Sequence, residues 1–193
     1  DWNHFLEMNR LFAERAAARG HTVTLIAGPV SLATPATVRR LDVVSAVEML
    51  GAVRAELPAA DALIMCAAVA DWRPRSSHPV KLKKREMSAT LELEPNPDIL
   101  LTVKPAKGGR LFVGFAAETG DPLAEARRKL ESKGLDLMVA NDVSQPGAGF
   151  ATDTNRVTLL APGAPAERLP LMSKRDVADR ILDRLQTLAE QKR

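Results

Sequence analysis

Asp61-Ala62-Leu63-Ile64-Met65-Cys66-Ala67-Ala68-Val69-Ala70-Asp71-Trp72-Arg73-Pro74, followed after six residues by Lys81-Leu82-Lys83-Lys84, is the stretch from which the fold is read. Its first half, residues 61–69, is a continuous apolar run, the pattern of a strand buried on both faces of a parallel sheet. The run stops at Asp71, and a loop leads on to the lysine cluster. Ligands of open α/β sheets sit at the carboxyl ends of the strands, where Asp71 falls. A carboxylate there, followed by ammonium groups, suits a polyphosphate ligand.

Upstream, Phe5, Met8, Leu11, Phe12 and Ala16 recur at helical spacing, and Gly20 follows as a left-handed cap. Residues 21–27 read as a strand ended by Gly28-Pro29, and residues 41–44 as a shorter one. Ser45 with Glu48 forms a capping box for a helix that stops before Pro58. Downstream, residues 79–94 alternate apolar and charged, which predicts a two-stranded antiparallel ribbon wet on one face. Such a ribbon is marginal alone and needs the body or a partner subunit to lean on.

Asn96-Pro97-Asp98 reads as a helix start, with asparagine as cap, proline in the first turn and an acid at the positive end. Residues 111–116 are another buried strand. Asp121-Pro122 opens a helix that Gly134 closes, and residues 135–140 form a strand ending at Asn141-Asp142. A last strand follows over 156–160. Ser173 caps a terminal helix whose apolar face is Val177, Ile181, Leu185 and Leu188.

Strands alternating with helices predict a three-layer, Rossmann-like, doubly wound and mostly parallel α/β sheet with one small ribbon. A chain of 193 residues with 46% hydrophobic content builds one core, hence a single domain over 1–193. One feature is unusual for such folds: the chain opens on a helix rather than on a strand with a glycine-rich turn.

Composition narrows the function. Aromatic residues are 4% and Tyr is absent, so a stacking platform for nucleic acid is not expected. A net charge of +3 fits anionic small molecules, and no long basic run marks a nucleic-acid arm. A single cysteine, Cys66, excludes an intrachain disulfide and argues for a reducing compartment. It reads as a buried small apolar residue, not a nucleophile. Three scattered histidines give no support to a Cys/His metal site. No apolar run approaches the ~20 residues of a membrane span, and the first residues lack a secretory signal pattern. The expectation is a cytoplasmic protein with no membrane partner.

Six segments in series carry a resemblance to a known family. They are Gly28-Pro29-Val30-Ser31-Leu32, Cys66-Ala67-Ala68-Val69-Ala70-Asp71, Lys81-Leu82-Lys83-Lys84, Asn96-Pro97-Asp98-Ile99, Gly114-Phe115-Ala116-Ala117-Glu118-Thr119 and Ala140-Asn141-Asp142-Val143-Ser144. Together, over about residues 20–190, they resemble bacterial phosphopantothenate–cysteine ligase, also called phosphopantothenoylcysteine synthetase. The resemblance implies a homodimer using CTP and Mg²⁺ in coenzyme A biosynthesis, fused to or working with a flavin-dependent decarboxylase. The carboxylate of 4′-phosphopantothenate attacks the CTP α-phosphate and expels pyrophosphate. The cysteine amine then attacks the acyl-cytidylate, giving the amide and CMP. Where the family begins with a strand and a loop of the type Asn-x-Ser-Ser-Gly-x-Met-Gly, this chain has Asn3-His4-Phe5-Leu6-Glu7-Met8-Asn9-Arg10. That loop's role is not carried over.

By the same resemblance, Asp71 contacts the nucleotide ribose and Ala67 and Ala68 lie beside the cytosine. Lys81 is the catalytic lysine that neutralises the phosphoryl group in transit. Asn96, Pro97, Asp98 and Ile99 line the nucleotide, Phe115 packs on it, and Lys129 and Lys133 hold the triphosphate. Asn141 is a substrate-side candidate, and the metal ligands are unknown.

Each residue also has a structural reading that sequence leaves open. Asp71 also reads as a solvated strand end, Ala67 and Ala68 as sheet packing, and Lys81, Lys83 and Lys84 as a wet ribbon face. The 96–99 turn is simple capping, or an anion site made by free N–H groups. Phe115 is a core residue. Lys129 and Lys133, at i and i+4, compensate a helix dipole. Asn141 makes a turn.

Two rivals remain beside the ligase. A nucleotide-binding module without turnover fits the altered front. A Rossmann-type NAD(P)-dependent oxidoreductase is disfavoured, because no Gly-x-Gly-x-x-Gly follows a strand.

Overall fold

The computed structural model describes residues 3–76, 80, 90–118, 122–142 and 154–192. Helix α1 (Asn3–Ala18) opens the chain. It ends in a Schellman motif: Gly20 takes φ 84°, His21 N–H donates to Ala16 O at 3.1 Å, and Gly20 N–H donates to Ala17 O at 2.9 Å. Strands β1 (Thr24–Ala27) and β2 (Arg39–Asp42) follow and pair in parallel, from Thr24↔Arg39 to Ala27↔Asp42. The second strand lies two residues earlier than its sequence pattern suggested. Helix α2 (Ala46–Glu56) is capped by Ser45, whose Oγ accepts from Glu48 N–H at 3.2 Å. Glu48 reaches back to Val44 N–H at 2.7 Å, one residue before the cap.

Next come β3 (Ala62–Met65), β4 (Trp72–Pro74), β5 (Leu93–Pro95) and helix α3 (Ile99–Val103). The chain continues through β6 (Leu111–Glu118), α4 (Pro122–Ser132) and β7 (Leu137–Asp142). It closes with β8 (Thr154–Asn155), β9 (Val157–Leu160), β10 (Glu167–Arg168), β11 (Met172–Ser173) and α5 (Lys174–Gln191). The central sheet has five strands in the order β10-β9-β7-β6-β3. The pairs β3–β6 and β6–β7 are parallel; β7–β9 and β9–β10 are antiparallel.

The three layers follow from the two-residue period of the strands. Leu111, Val113, Leu137, Val139, Val157 and Leu159 face one side, against Met8 and Phe12 of α1 and Val177, Ile181 and Leu185 of α5. Phe112, Ala116, Met138, Ala140 and Leu160 face the other, against Met49, Leu50 and Val53 of α2, Ile99 and Val103 of α3, and Ala126 and Leu130 of α4. Helices thus cover both faces of the sheet, the doubly wound arrangement that the alternation of elements predicted.

Three local expectations need correction. Residues 61–69 were expected as one strand buried on both faces. Only Ala62–Met65 is strand, it pairs with β6 alone among the described residues, and Leu63, Ile64 and Met65 are half-buried. The apolar character of the run continues into Cys66, 3% exposed, and into Ala67 and Val69, which pack on the α2 side without extending the ladder. Secondly, Leu93–Pro95 pairs with Trp72–Pro74, a segment that lies before the expected 79–94 ribbon. Pro74 and Pro95 are tolerated because a two-stranded ribbon leaves each strand one edge without ladder bonds. Residues 77–79 and 81–89, and Lys81, Lys83 and Lys84 with them, lie outside the described residues. Thirdly, Asn141 does not make a turn. It sits within β7, opposite Ala117 and Val157, and is 5% exposed.

Candidate functional site

Beyond the carboxyl end of β3 the chain passes through Ala67, half-buried, and Ala68, exposed, to Asp71. The Asp71 side chain is exposed, and among the described residues its carboxylate makes no hydrogen bond or ion pair. Its backbone does. Asn96 N–H donates to Asp71 O at 2.7 Å, and the Asn96 amide nitrogen donates to Ala70 O at 2.8 Å. Two segments separated by some twenty-five residues of sequence are thereby stitched together at the base of the β4–β5 ribbon.

Sequence reasoning missed the residue that completes this stitch. Arg73 donates from a terminal guanidinium nitrogen to Asn96 Oδ1 at 3.1 Å and from Nε to Glu94 Oε1 at 2.8 Å. Arg73 stands directly opposite Glu94 in the ladder, and further out Arg75 pairs with Glu92 at 3.0 Å. A readable signal existed. Asp-Trp-Arg-Pro-Arg and Glu-Leu-Glu-Pro-Asn carry opposite charges at mirrored spacing, as antiparallel partners should.

Asp98, not Asn96, is the N-cap of α3: its carboxylate accepts from Leu101 N–H at 3.0 Å. Asn96 is instead spent on the Asp71 segment, two residues before the cap. The second partner of Asp98 is Lys133, whose ammonium lies 2.9 Å from Oδ2. Burial opposes ionisation of Asp98, but the Leu101 N–H and the Lys133 ammonium outweigh it and hold the carboxyl below its ordinary range. Ile99 is 3% exposed in the core beneath, so only its backbone is available to a ligand there.

Lys133 is the C-cap residue of α4. Gly134 follows at φ 63°, with Leu135 N–H donating to Leu130 O at 2.9 Å and Gly134 N–H to Glu131 O at 3.1 Å. Dipole compensation at this helix end is supplied by other side chains. Lys104 Nζ donates to Ser132 O at 2.7 Å and Lys107 Nζ to Gly134 O at 2.6 Å. Lys133 is turned toward Asp98 instead. Lys129, one turn earlier, lies 3.7 Å from Glu125.

Phe115 lies on β6, one residue past the last registered pair Met65↔Gly114. It is half-buried and meets Phe12 of α1 edge to face, with centroids 5.4 Å apart. The structure therefore brings Asp71, Asn96, Asp98 and Lys133 into one linked row. Phe115 and Asn141 sit on the neighbouring strands, and Lys129 stands a helical turn away. Cys66 is buried, and desolvation pushes its thiol up to about 12, which leaves no thiolate for chemistry near neutrality.

A cleft of about 300 Å³ lined by Arg54, Thr102, Pro105 and Arg110, among others, opens where the chain enters β3 and β6, away from this row. Its Arg110 guanidinium is occupied by carbonyls, including Leu57 O at 2.8 Å and Pro58 O at 2.9 Å. Among the described residues no three His, Cys, Asp or Glu side chains converge on a metal site. No described helix is long and apolar enough to cross a membrane.

Comparison with known proteins places the chain. A family profile described as the DNA/pantothenate metabolism flavoprotein C-terminal domain matches residues 7–188. The coenzyme A biosynthesis bifunctional protein CoaBC of Vibrio vulnificus (strain YJ016) is 47% identical over 185 residues, covering 94% of this chain and 46% of that protein. The protein of the same name from Bacillus subtilis (strain 168) is 44% identical, covering 96% and 46%. The chain thus spans about half the length of the curated relatives it matches. A crystal structure of the C-terminal domain of CoaBC superimposes with a TM-score of 0.81 at 34% identity, over 96% of this chain and 83% of that one.

Proposed function

This chain belongs to the DNA/pantothenate metabolism flavoprotein C-terminal domain family, and from that premise we propose that it joins 4′-phosphopantothenate to L-cysteine at the expense of CTP. The observation that carries the reading is the linked row Asp71–Asn96–Asp98–Lys133 beyond the carboxyl end of β3. It offers an exposed carboxylate suited to ribose hydroxyls at one end and an ammonium group suited to phosphate oxygens at the other. Ala67 and Ala68 leave the backbone between β3 and Asp71 open to a base edge; Phe115, which packs on Phe12 in the α1 layer, is assigned to the nucleotide by family resemblance alone.

In the first half-reaction the carboxylate oxygen of 4′-phosphopantothenate forms a bond to the CTP α-phosphorus, and the bond to the bridging oxygen of pyrophosphate breaks. In the second, the cysteine amine attacks the acyl carbon, loses a proton, and expels CMP. Activation is required because a carboxylate is a poor electrophile, whereas a mixed anhydride with CMP has a good leaving group. Fixed positive charge at the phosphates lowers the barrier to the first step. Lys133 supplies such charge; Lys81, outside the described residues, and Lys129 take matching roles by family resemblance. Asn141, buried in β7, is proposed on the side of the acyl substrate.

Mg²⁺ is assigned to the triphosphate, since this ion is ordinarily held by substrate phosphates and few carboxylates. When bound, that ion would neutralise phosphate charge. Trp72, Val80, Leu91 and Leu93, exposed by 59%, 72%, 69% and 46%, give the ribbon region an apolar surface consistent with a second copy of the chain, hence a homodimer. A flavin-dependent decarboxylase, fused or separate, and a cytoplasmic location complete the proposal.

The test incubates the chain with CTP, Mg²⁺, 4′-phosphopantothenate and cysteine, following pyrophosphate release and product mass. Pyrophosphate release that requires 4′-phosphopantothenate, with the mass of 4′-phosphopantothenoylcysteine appearing on cysteine addition, supports the ligase. CTP binding without pyrophosphate release would identify a binding module instead, and binding of NAD(P) alone an oxidoreductase.

A further inference from the structure

We propose that Arg73 is a positioning residue for the nucleotide, acting through Asn96 to set the Asp71 carboxylate; the inference rests on the CTP reading above. Arg73 is donor-only, so its bond at 3.1 Å must end on Asn96 Oδ1. The carbonyl of Ala70 is acceptor-only, so the bond at 2.8 Å must come from Asn96 Nδ2. These two partners admit one orientation of the Asn96 amide, where an isolated asparagine could turn over. With the bond from Asn96 N–H to Asp71 O at 2.7 Å, the same asparagine holds the backbone of both Ala70 and Asp71, the residue whose side chain faces solvent. Arg73 is itself held by Glu94, 2.7 Å from a terminal nitrogen, and both side chains are about one-third exposed (36% and 33%).

Nothing in this arrangement serves the hydrophobic core. The two-stranded ribbon already has its ladder bonds, and Arg75 and Glu92 pair further out without touching Asn96. What Arg73 adds is a fixed relation between the backbone that carries Asp71 and the Asp98–Lys133 pair two residues beyond Asn96. A nucleotide spanning ribose to triphosphate needs that separation fixed before it binds, because a mobile carboxylate must be ordered at the ligand's cost. Arginine suits this role better than lysine, whose ammonium has three donors on one nitrogen but no planar fork to hold Glu94 and Asn96 in fixed relation.

The experiment compares CTP with 2′,3′-dideoxy-CTP by titration calorimetry on the full chain, for wild type, Asp71→Ala, Arg73→Ala, Arg73→Lys, Glu94→Gln and the Asp71→Ala/Arg73→Ala double variant. Thermal melting is followed in parallel. The expected result is that wild type prefers CTP, and that Arg73→Ala binds CTP roughly tenfold more weakly and loses most of that preference. The double variant should be no worse than Asp71→Ala, and Arg73→Lys and Glu94→Gln should fall between. If Arg73→Ala lowers the melting temperature but keeps the wild-type preference, or if the two losses simply add, the positioning role is overturned. Should Arg73→Ala fail to fold, the milder Arg73→Lys and Glu94→Gln variants decide by the same criterion. Wild type that binds neither nucleotide refutes the CTP reading itself, an outcome distinct from wild type binding CTP with Arg73 variants unaltered.

Discussion

The Lys133 ammonium lies 2.9 Å from the carboxylate of Asp98, the residue that caps α3. A lysine at the end of one helix is thereby aimed at the start of another, in a place where α4 has other lysines for its own terminal carbonyls. Asp98 thus serves helix start and ion pair together, and its loss should register in both. We expect Asp98→Ala to cost about 1 kcal/mol through the cap. The same variant should weaken the acid dependence of stability. The folded-state carboxyl titrates below its ordinary range, so its contribution is present above the unfolded value and is lost as pH falls through the folded one. Urea unfolding of both proteins at neutral pH and near pH 3 checks the sign.

Asp136 makes the stronger case for acid sensitivity. Its carboxylate sits 2.8 Å from both Lys107 and Lys192 and accepts from Phe112 N–H at 2.7 Å, joining β6, β7 and the end of α5. Burial opposes its ionisation, yet the two ammonium groups and the amide prevail and keep its pKa low. Stability should therefore fall on acidification below about pH 4, the unfolded aspartate range. Asp136→Asn should be less stable than wild type at pH 7, and the gap should narrow toward pH 3. A gap that stays constant across that range would contradict the assignment.

Gly114 has little room for a side chain. A Cβ there would come within 2.6 Å of Leu135 Cδ1 and 3.4 Å of Met138 Cε. Gly114→Ala should destabilise by about 1–3 kcal/mol, the usual cost of overpacking a closed core. Leu135→Ala alone should cost about 2–5 kcal/mol, and in that background Gly114→Ala should cost less than in wild type, since the atom that clashes is gone. Chemical denaturation of the single and double variants measures the coupling.

Cys66 is 3% exposed and its thiol is pushed up to about 12 by burial. Thiol reagents at pH 8 should modify it only as fast as the native protein opens, and denaturant should make it reactive at once. Rapid labelling of the folded chain would place Cys66 in a different environment.

The features legible in the sequence were those decided within a turn or two of chain. Ser45 and Ser173 cap their helices, the latter by accepting from Asp176 N–H at 3.1 Å, and Gly20 and Gly134 close theirs in left-handed geometry. The layer assignment was also readable, because alternate residues of β6 and β7 must face opposite helices. What escaped was pairing at a distance. The pairing of Trp72–Pro74 with Leu93–Pro95 rests on charge matched between residues about twenty apart. Asn96 resembled a cap because of its type and its place before Pro97; only the folded chain shows that Asp98 caps and Asn96 holds the Asp71 segment. Lys133 was singled out, but its Asp98 partner lies on another element and leaves no mark at i and i+4 spacing.

The most direct test of the nucleotide site is the affinity of the wild-type chain and of Lys133→Met for CTP, titrated at low and at high salt. The account predicts that wild type binds and that Lys133→Met binds roughly tenfold more weakly at low salt, with the difference shrinking as salt screens the phosphate charge. Equal affinity of the two proteins at low salt would contradict it.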